Sequence, residues 1–364
     1  MKNLIKTIAV LVSSSLISLN AVAGELSVTG SANASYVISG GQNIDGKGLG
    51  ISNELMFSAT GELDNGFSWK YHTELDMADG GAASNDDTAL VITMGDMGTL
   101  GIYDAEGGLS TELGYGVGAL GVGADYANTM TQIGWGKDVS ADPHLAYSTP
   151  AGLIPFGVNI SVGYAPNTGD GQGNSFKSTG GSQSVDADGT NATQYKVTAS
   201  PDIVPGLSVG ADYYEVGNST SGLGQEETSG NYYVKYEVGN WKLGIMEGYF
   251  ENGVADKKAS ASADTATAAN GDRYNFSGIG AEFAVNDALS ISYSQEKYER
   301  IDYTMAATAS TRTESSVESE GDYIQVAYNI GGATLGLALV DTDNSDFTDT
   351  KEEKKTVFSI GMEF

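Results

Sequence analysis

Few residues in this chain have the chemistry of a catalytic centre. It contains two histidines, His72 and His144, and no cysteine. Without cysteine there is no thiol nucleophile, disulfide, iron–sulfur cluster or thiolate zinc site, and two histidines offer little toward a two- or three-His metal centre. A Ser-His-acid hydrolase needs a serine held at an elbow or helix start beside its base. Neither Lys70-Tyr71-His72 nor the surroundings of His144 supplies one, so enzyme activity is not expected. Gly116-Val117-Gly118-Ala119-Leu120-Gly121 satisfies the G-x-G-x-x-G spacing. That spacing grips a dinucleotide only between a strand and a helix, a context missing here; its glycines suit a loop lying flat against a wall. Asp341, Asp343, Asp349 and Glu352 take the first, third, ninth and twelfth positions of a calcium loop. Asp346 stands where that loop requires Gly, and strands rather than helices flank it. A solvated acidic loop is therefore the preferred reading, with calcium the weaker alternative and no other cofactor expected.

What the sequence does have in quantity is carboxylate and glycine. Asp plus Glu number 47 against 18 Lys plus Arg, for a formal charge of -29. Nucleic acid is excluded as a partner, because phosphate binding needs a basic face. The 50 glycines are roughly twice the usual ~7% share, while a hydrophobic content of 40% is enough for folded structure.

The elements that must position these groups begin after residue 23. Met1–Ala23 opens with Lys2 and Lys6, runs through Ile8-Ala9-Val10-Leu11-Val12 and ends in Ala21-Val22-Ala23, the pattern of a cleaved secretory signal peptide. Beyond it a period of two dominates. Leu26, Val28, Gly30, Ala32, Ala34, Tyr36 and Ile38 share one parity, with Ser27, Thr29, Ser31, Asn33 and Ser35 between them. Alternate strand residues face opposite sides, so one face is apolar and the other polar. Sixteen such strands are expected, near 25–38, 50–63, 67–77, 88–95, 99–104, 144–149, 155–165, 192–200, 207–217, 230–238, 241–251, 272–285, 288–304, 320–330, 333–342 and 355–364. Short turns such as Asp64-Asn65-Gly66, Gly239-Asn240 and Gly331-Gly332 alternate with long polar connections, which puts every long loop at one end of an antiparallel sheet.

A secreted sandwich would need two apolar faces per sheet pair, yet the second faces here carry Lys70, His72, Glu74, Lys196, Lys235 and Glu237. Tyr36, Trp69, Tyr71, Tyr147, Tyr164, Tyr213, Trp241 and Tyr249 cluster toward strand ends, where interfacial girdles sit. The last residues, Val357 to Phe364, form an alternating strand that can close on 25–38 and so remove both sheet edges. The expected fold class is all-β: a transmembrane, antiparallel, up-and-down β-barrel of about 16 strands over 24–364.

The terminal Phe364, the segment Leu145-Ala146-Tyr147-Ser148-Thr149-Pro150 running into Phe156–Tyr164, and the long insertion before it together resemble the general diffusion porins of Gram-negative outer membranes, the sixteen-stranded trimeric type. The resemblance implies a water-filled channel for passive diffusion of small hydrophilic solutes and ions, a homotrimer in the outer membrane, and a long third loop folded into the lumen. Residues 105–143 hold the place of that loop. The family sets an acidic loop against arginines on the wall. The arginines here are Arg273, Arg300 and Arg312, none clearly on an inward face, so a basic wall must be lysine.

On this basis Asp104, Glu106, Glu112 and Asp125, with Asp138 and Asp142, are expected at a constriction, facing Lys70, His72, Lys196, Lys235 and Lys242. Acid-lined pathways favour cations, so a mild cation preference follows. Outward acidic loops would meet lipopolysaccharide and outer-membrane lipid through divalent cations. Two alternatives stay open: a substrate-specific channel, marked by a ladder of luminal aromatics for which Tyr214 and Tyr233 are candidates, and a plugged structural or adhesive barrel.

Overall fold

The computed structural model describes residues 24–41, 45–76, 84–123, 126, 137–166, 168, 191–217, 223–225, 227–252, 254–255, 273–304 and 313–364. Met1–Ala23, Asp125, Arg312 and much of the long connections lie outside them. The strands are β1 Leu26–Gly41, β2 Gly46–Glu62, β3 Ser68–Asp76, β4 Ser84–Thr93, β5 Thr99–Asp104, β6 His144–Ser148, β7 Asn159–Ala165, β8 Asn191–Ala199 and β9 Leu207–Gly217. They continue as β10 Leu223–Gln225, β11 Thr228–Val238, β12 Trp241–Glu251, β13 Val254–Ala255, β14 Arg273–Ala284, β15 Leu289–Thr304, β16 Thr313–Ile330, β17 Ala333–Asp343 and β18 Glu353–Glu363. Sixteen close into one antiparallel barrel in sequence order, while β10 and β13 pair separately.

Closure is made where the alternation predicts it. β18 pairs antiparallel with β1, from Ser31 opposite Glu363 to Gly41 opposite Glu353, and Phe364 exchanges backbone bonds with Gly30 at 2.7 and 2.9 Å. No sheet edge is left to hydrocarbon.

The two parities behave as the sequence implies. On β12, Trp241, Leu243 and Ile245 are exposed on the outer surface, and the outer face continues through Ile279, Ile291, Ile324, Leu335 and Phe358 on later strands. Tyr36, Trp69, Tyr71, Tyr147, Tyr164, Tyr213, Trp241 and Tyr249 all hold outward register positions. Hydrophobic side chains exposed on the outer face of the barrel strands are unstable in water and stable in lipid.

Several strand limits differ from expectation for local reasons. Pro155–Gly157 forms a 3-10 turn with Phe156 at φ 64°, so β7 begins at Asn159. β16 begins seven residues earlier than expected, at Thr313, because its polar start is paired in register with the top of β15, Thr304 opposite Thr313. Likewise β4 starts at Ser84 through pairing with Asp76.

Candidate functional site

The described residues that follow β5, 105–123 and 126, stay within the barrel. Their groups bond to side chains on the inward parity, opposite the exposed apolar face. Asp212 on β9 accepts from the Thr111 N–H at 2.6 Å and from Thr111 Oγ1 at 2.7 Å, and Asn231 Nδ2 on β11 donates to it at 3.0 Å. Farther along, Tyr115 Oη donates to Glu296 Oε1 at 2.8 Å, and the Gly123 N–H donates to the same oxygen at 3.0 Å. The Ala119 N–H reaches Ser292 Oγ at 2.8 Å and the Leu120 N–H reaches Gln325 Oε1 at 2.9 Å. Tyr126 Oη lies 2.6 Å from Ser359 Oγ on β18. Residues 111–123 and 126 thus bond to the inner wall at points from β9 to β18.

Shape explains why it lies so close. Tyr115, Val117 and Val122 are buried with Met246 in one cluster. A Cβ on Gly244 would sit 2.9 Å from the Tyr115 carbonyl oxygen, and one on Gly280 would sit 2.7 Å from Val117 Cγ1. Inward glycine on adjacent strands leaves a shallow track, and the loop fills it. Burial, then the neighbouring Glu296 carboxylate, pushes the Tyr115 phenol far above its ordinary range, so it remains a hydrogen-bond donor. The glycines of 116–121 serve this path: Gly116, Gly118 and Gly121 have φ of 52°, 158° and 122°, with no strand-to-helix phosphate cradle.

The start and the return of the loop are tied as well. Asp138 accepts from the Ser110 N–H at 2.5 Å and caps a 3-10 turn at Val139–Ala141 through the Ser140 N–H at 2.8 Å. His144 spans two carbonyl oxygens, Asp142 at 3.0 Å and Gly107 at 3.2 Å, and stacks on Tyr103. Leu109, Val139 and Tyr214 form a second buried cluster.

The expected charged residues divide into distinct groups. His72 on β3 and Glu106 are brought into direct contact, Nε2–H donating to the carboxylate. Glu112 accepts from Ser110 Oγ. Asp138 and Asp142 are structural groups at the loop's return. Asp104 ends β5 at the register position of Leu100 and Ile102, the outward parity, so it is not a luminal acid. Lys235 pairs with Glu237 at 3.2 Å and Lys242 with Glu282 at 2.8 Å, so neither is a bare positive wall. Lys70 and Lys196 hold inward positions with no ion pair among the described residues. Arg300 does occupy the inward parity, contrary to expectation, but it is spent at the outer end, bonded to Asp302 at 3.1 Å and lying 5.4 Å over the Phe347 ring.

Two features escaped the sequence reading. Glu54, Glu74 and Asp76 bring carboxylate oxygens within 4.8 Å of one another, because Glu54 pairs opposite Asp76 across β2 and β3. The four calcium-loop candidates form no such group among the described residues; Asp341 is paired with Lys354 at 2.7 Å. Phe250, Tyr274, Phe276, Tyr298 and Tyr323 are inward-facing yet buried with Phe347. Tyr214 and Tyr233 pack under the loop. These aromatics are therefore packed core, and no exposed ladder of rings is formed by them. Their shared parity with Gly278 and Gly280 was the available signal.

A closed barrel with an apolar exterior, crossed by a loop pinned to its wall, is the geometry of a channel. The Gram-negative porin family matches residues 7–346. The chain belongs to that family. It is a non-enzymatic outer-membrane diffusion channel. No curated protein sequence matches it. Among solved structures, an anion-selective porin from Comamonas acidovorans aligns at 14% identity over 94% of this chain and 100% of that one, with a TM-score of 0.61. OmpT of Vibrio cholerae in a trimer form gives 11%, 94%, 100% and 0.60, and Salmonella typhi OmpF in complex with daunomycin gives 12%, 94%, 98% and 0.57. At these identities the likeness is one of fold.

Proposed function

We propose that this porin passes small hydrophilic solutes and ions through a pore narrowed by the segment following β5, with a mild preference for cations. The observation that carries the reading is the row of wall acceptors, Asp212, Glu296, Ser292 and Gln325, that hold residues 111–123 across the interior. A segment held at these points reduces the open section without sealing it.

The charge preference rests on imbalance. Inward carboxylates at Glu54, Glu74, Asp76, Glu106 and Glu112 face few bare cations, since Lys235 and Lys242 are neutralised by adjacent glutamates. Negative linings raise the local concentration of cations and lower that of anions. Lys70 and Lys196, without an ion pair among the described residues, temper this, which is why the preference is mild.

Assembly as a homotrimer is part of the proposal. The outward face of β1 and β2 exposes Leu26, Val28, Leu49 and Ile51, which a neighbouring copy would cover, and OmpT, of the same fold, is known in a trimer form. Acidic groups on the outward ends of the strands, Asp341 and Asp343 among them, would meet lipopolysaccharide through divalent cations. Recording from planar bilayers under a salt gradient tests the whole reading. Current steps in groups of three and a reversal potential on the cation side are expected; silent insertion or an anion-side potential refutes it.

A further inference from the structure

One recess of the described structure lies outside the lumen. It lies on the outer wall, about 640 Å³ in volume, spanning β9 to β16. Its floor is made of small outward residues, Ala211, Gly230 and Ser277, set between the rings of Tyr213, Tyr232 and Tyr249. A second recess of about 260 Å³ shares Glu247, Ser277 and Lys297 with it and continues onto Ile245 and Ile279. These isoleucines are 45% and 56% exposed and belong to the apolar belt. The concavity therefore runs from hydrocarbon contact below to polar side chains nearer the long-loop end above.

The polar part is already organised. Tyr232 Oη donates to Glu247 at 2.5 Å, Asn275 Nδ2 donates to Glu299 at 3.0 Å, and Arg273 bonds Glu251 at 3.0 Å while lying 5.3 Å from the Tyr249 ring centroid. Lys297 is paired with Glu320 at 2.5 Å. Both cations are thus engaged by carboxylates. A phosphate would have to displace an ion pair and approach Glu247, Glu299 and Glu318, whereas a neutral sugar ring would not. Its hydroxyls can donate to carboxylate oxygens with free lone pairs, and its C–H faces can rest on tyrosine rings, the combination of apolar walls and few fixed polar groups that binds small molecules.

We infer that this recess holds the neutral saccharide head group of an outer-leaflet glycolipid, its acyl chains lying on Ile245 and Ile279. The site differs from cation-bridged contact with anionic lipid, because it needs no divalent ion, and it is independent of what the pore conducts.

The test uses the full chain in phosphatidylcholine nanodiscs doped with either monogalactosyl diacylglycerol or phosphatidylglycerol, followed by native mass spectrometry of the released protein in the presence of EDTA. Retention of the galactolipid over the phosphatidylglycerol by about tenfold is expected. Ser277→Trp fills the floor and Glu247→Ala removes the acceptor; each should abolish the difference, while Thr73→Trp on the outward face of β3 should preserve it. Unchanged single-channel conductance in all three variants shows that the barrel is intact. Equal retention of both lipids, loss of the galactolipid on chelation, or retention by Ser277→Trp at the wild-type level would overturn the assignment.

Discussion

Asp212 shows how much one luminal carboxylate can hold. It is buried, and it takes both the backbone and the hydroxyl of Thr111, so its loss strands the Thr111 N–H, while the Asn231 amide keeps Ser110 Oγ at 3.0 Å. Unsatisfied buried groups cost about 1–3 kcal/mol each. Asp212→Ala is expected to leave the barrel folded by circular dichroism but to detach the loop locally, giving a larger and noisier single-channel conductance. An unchanged, quiet channel would mean that Thr111 is not what fixes the loop. Glu296 is a second anchor, and Tyr115→Phe, which removes its phenol donor, should produce a weaker form of the same change. The two-residue period puts Asp212 and Glu296 on the polar face without marking either as an anchor. Their parity was legible, but on a polar strand face nothing in the residue type separates an anchor from a wall charge.

At the scale of the element, the loop and its track were selected together. Gly244 and Gly280 have room only for the loop lying on them. Gly280→Leu is expected to cost about 1–3 kcal/mol by overpacking, read as a lower urea midpoint, and to change the conductance through displacement of Val117. An identical conductance would remove the track from the account. The last strand gives a sharper case. Deleting Glu353–Phe364 leaves β1 and β17 as open edges, which the bilayer core does not tolerate. No membrane insertion and no channel activity are expected in a refolding assay, and a conducting truncated product would contradict the closure. Strand positions were largely readable because alternation is a local property: β9 and β12 match the expected limits, 207–217 and 241–251. The differences fell where pairing with a neighbour extends a polar stretch, as at Thr313 opposite Thr304, or where a 3-10 turn delays a strand, as at Pro155–Gly157 before β7.

For the whole molecule, the relevant quantity is the net field along the pore. Glu54, Glu74 and Asp76 converge on the wall of β2 and β3, and neutralising all three as Glu54→Gln, Glu74→Gln and Asp76→Asn should roughly halve the cation-to-anion permeability ratio. The reversal potential in a salt gradient measures it, and the shift should shrink at high salt, where the Debye length falls to about 3 Å. No shift at any salt concentration would place the selectivity elsewhere, at Glu106 and Glu112.

The primary structure alone determined the barrel: the two-residue period and the alternation of short and long connections are local patterns, and hydrocarbon admits only a closed sheet for them. It also determined the poverty of catalytic groups, which is a matter of composition. It could not decide which charges remain available to the pore. That depends on cross-strand register and on contacts between residues far apart in the chain, such as Thr111 with Asp212 and Lys242 with Glu282. Such pairings neutralise or bury a side chain only once the barrel has closed, because closure is what brings those strands and the loop within bonding distance.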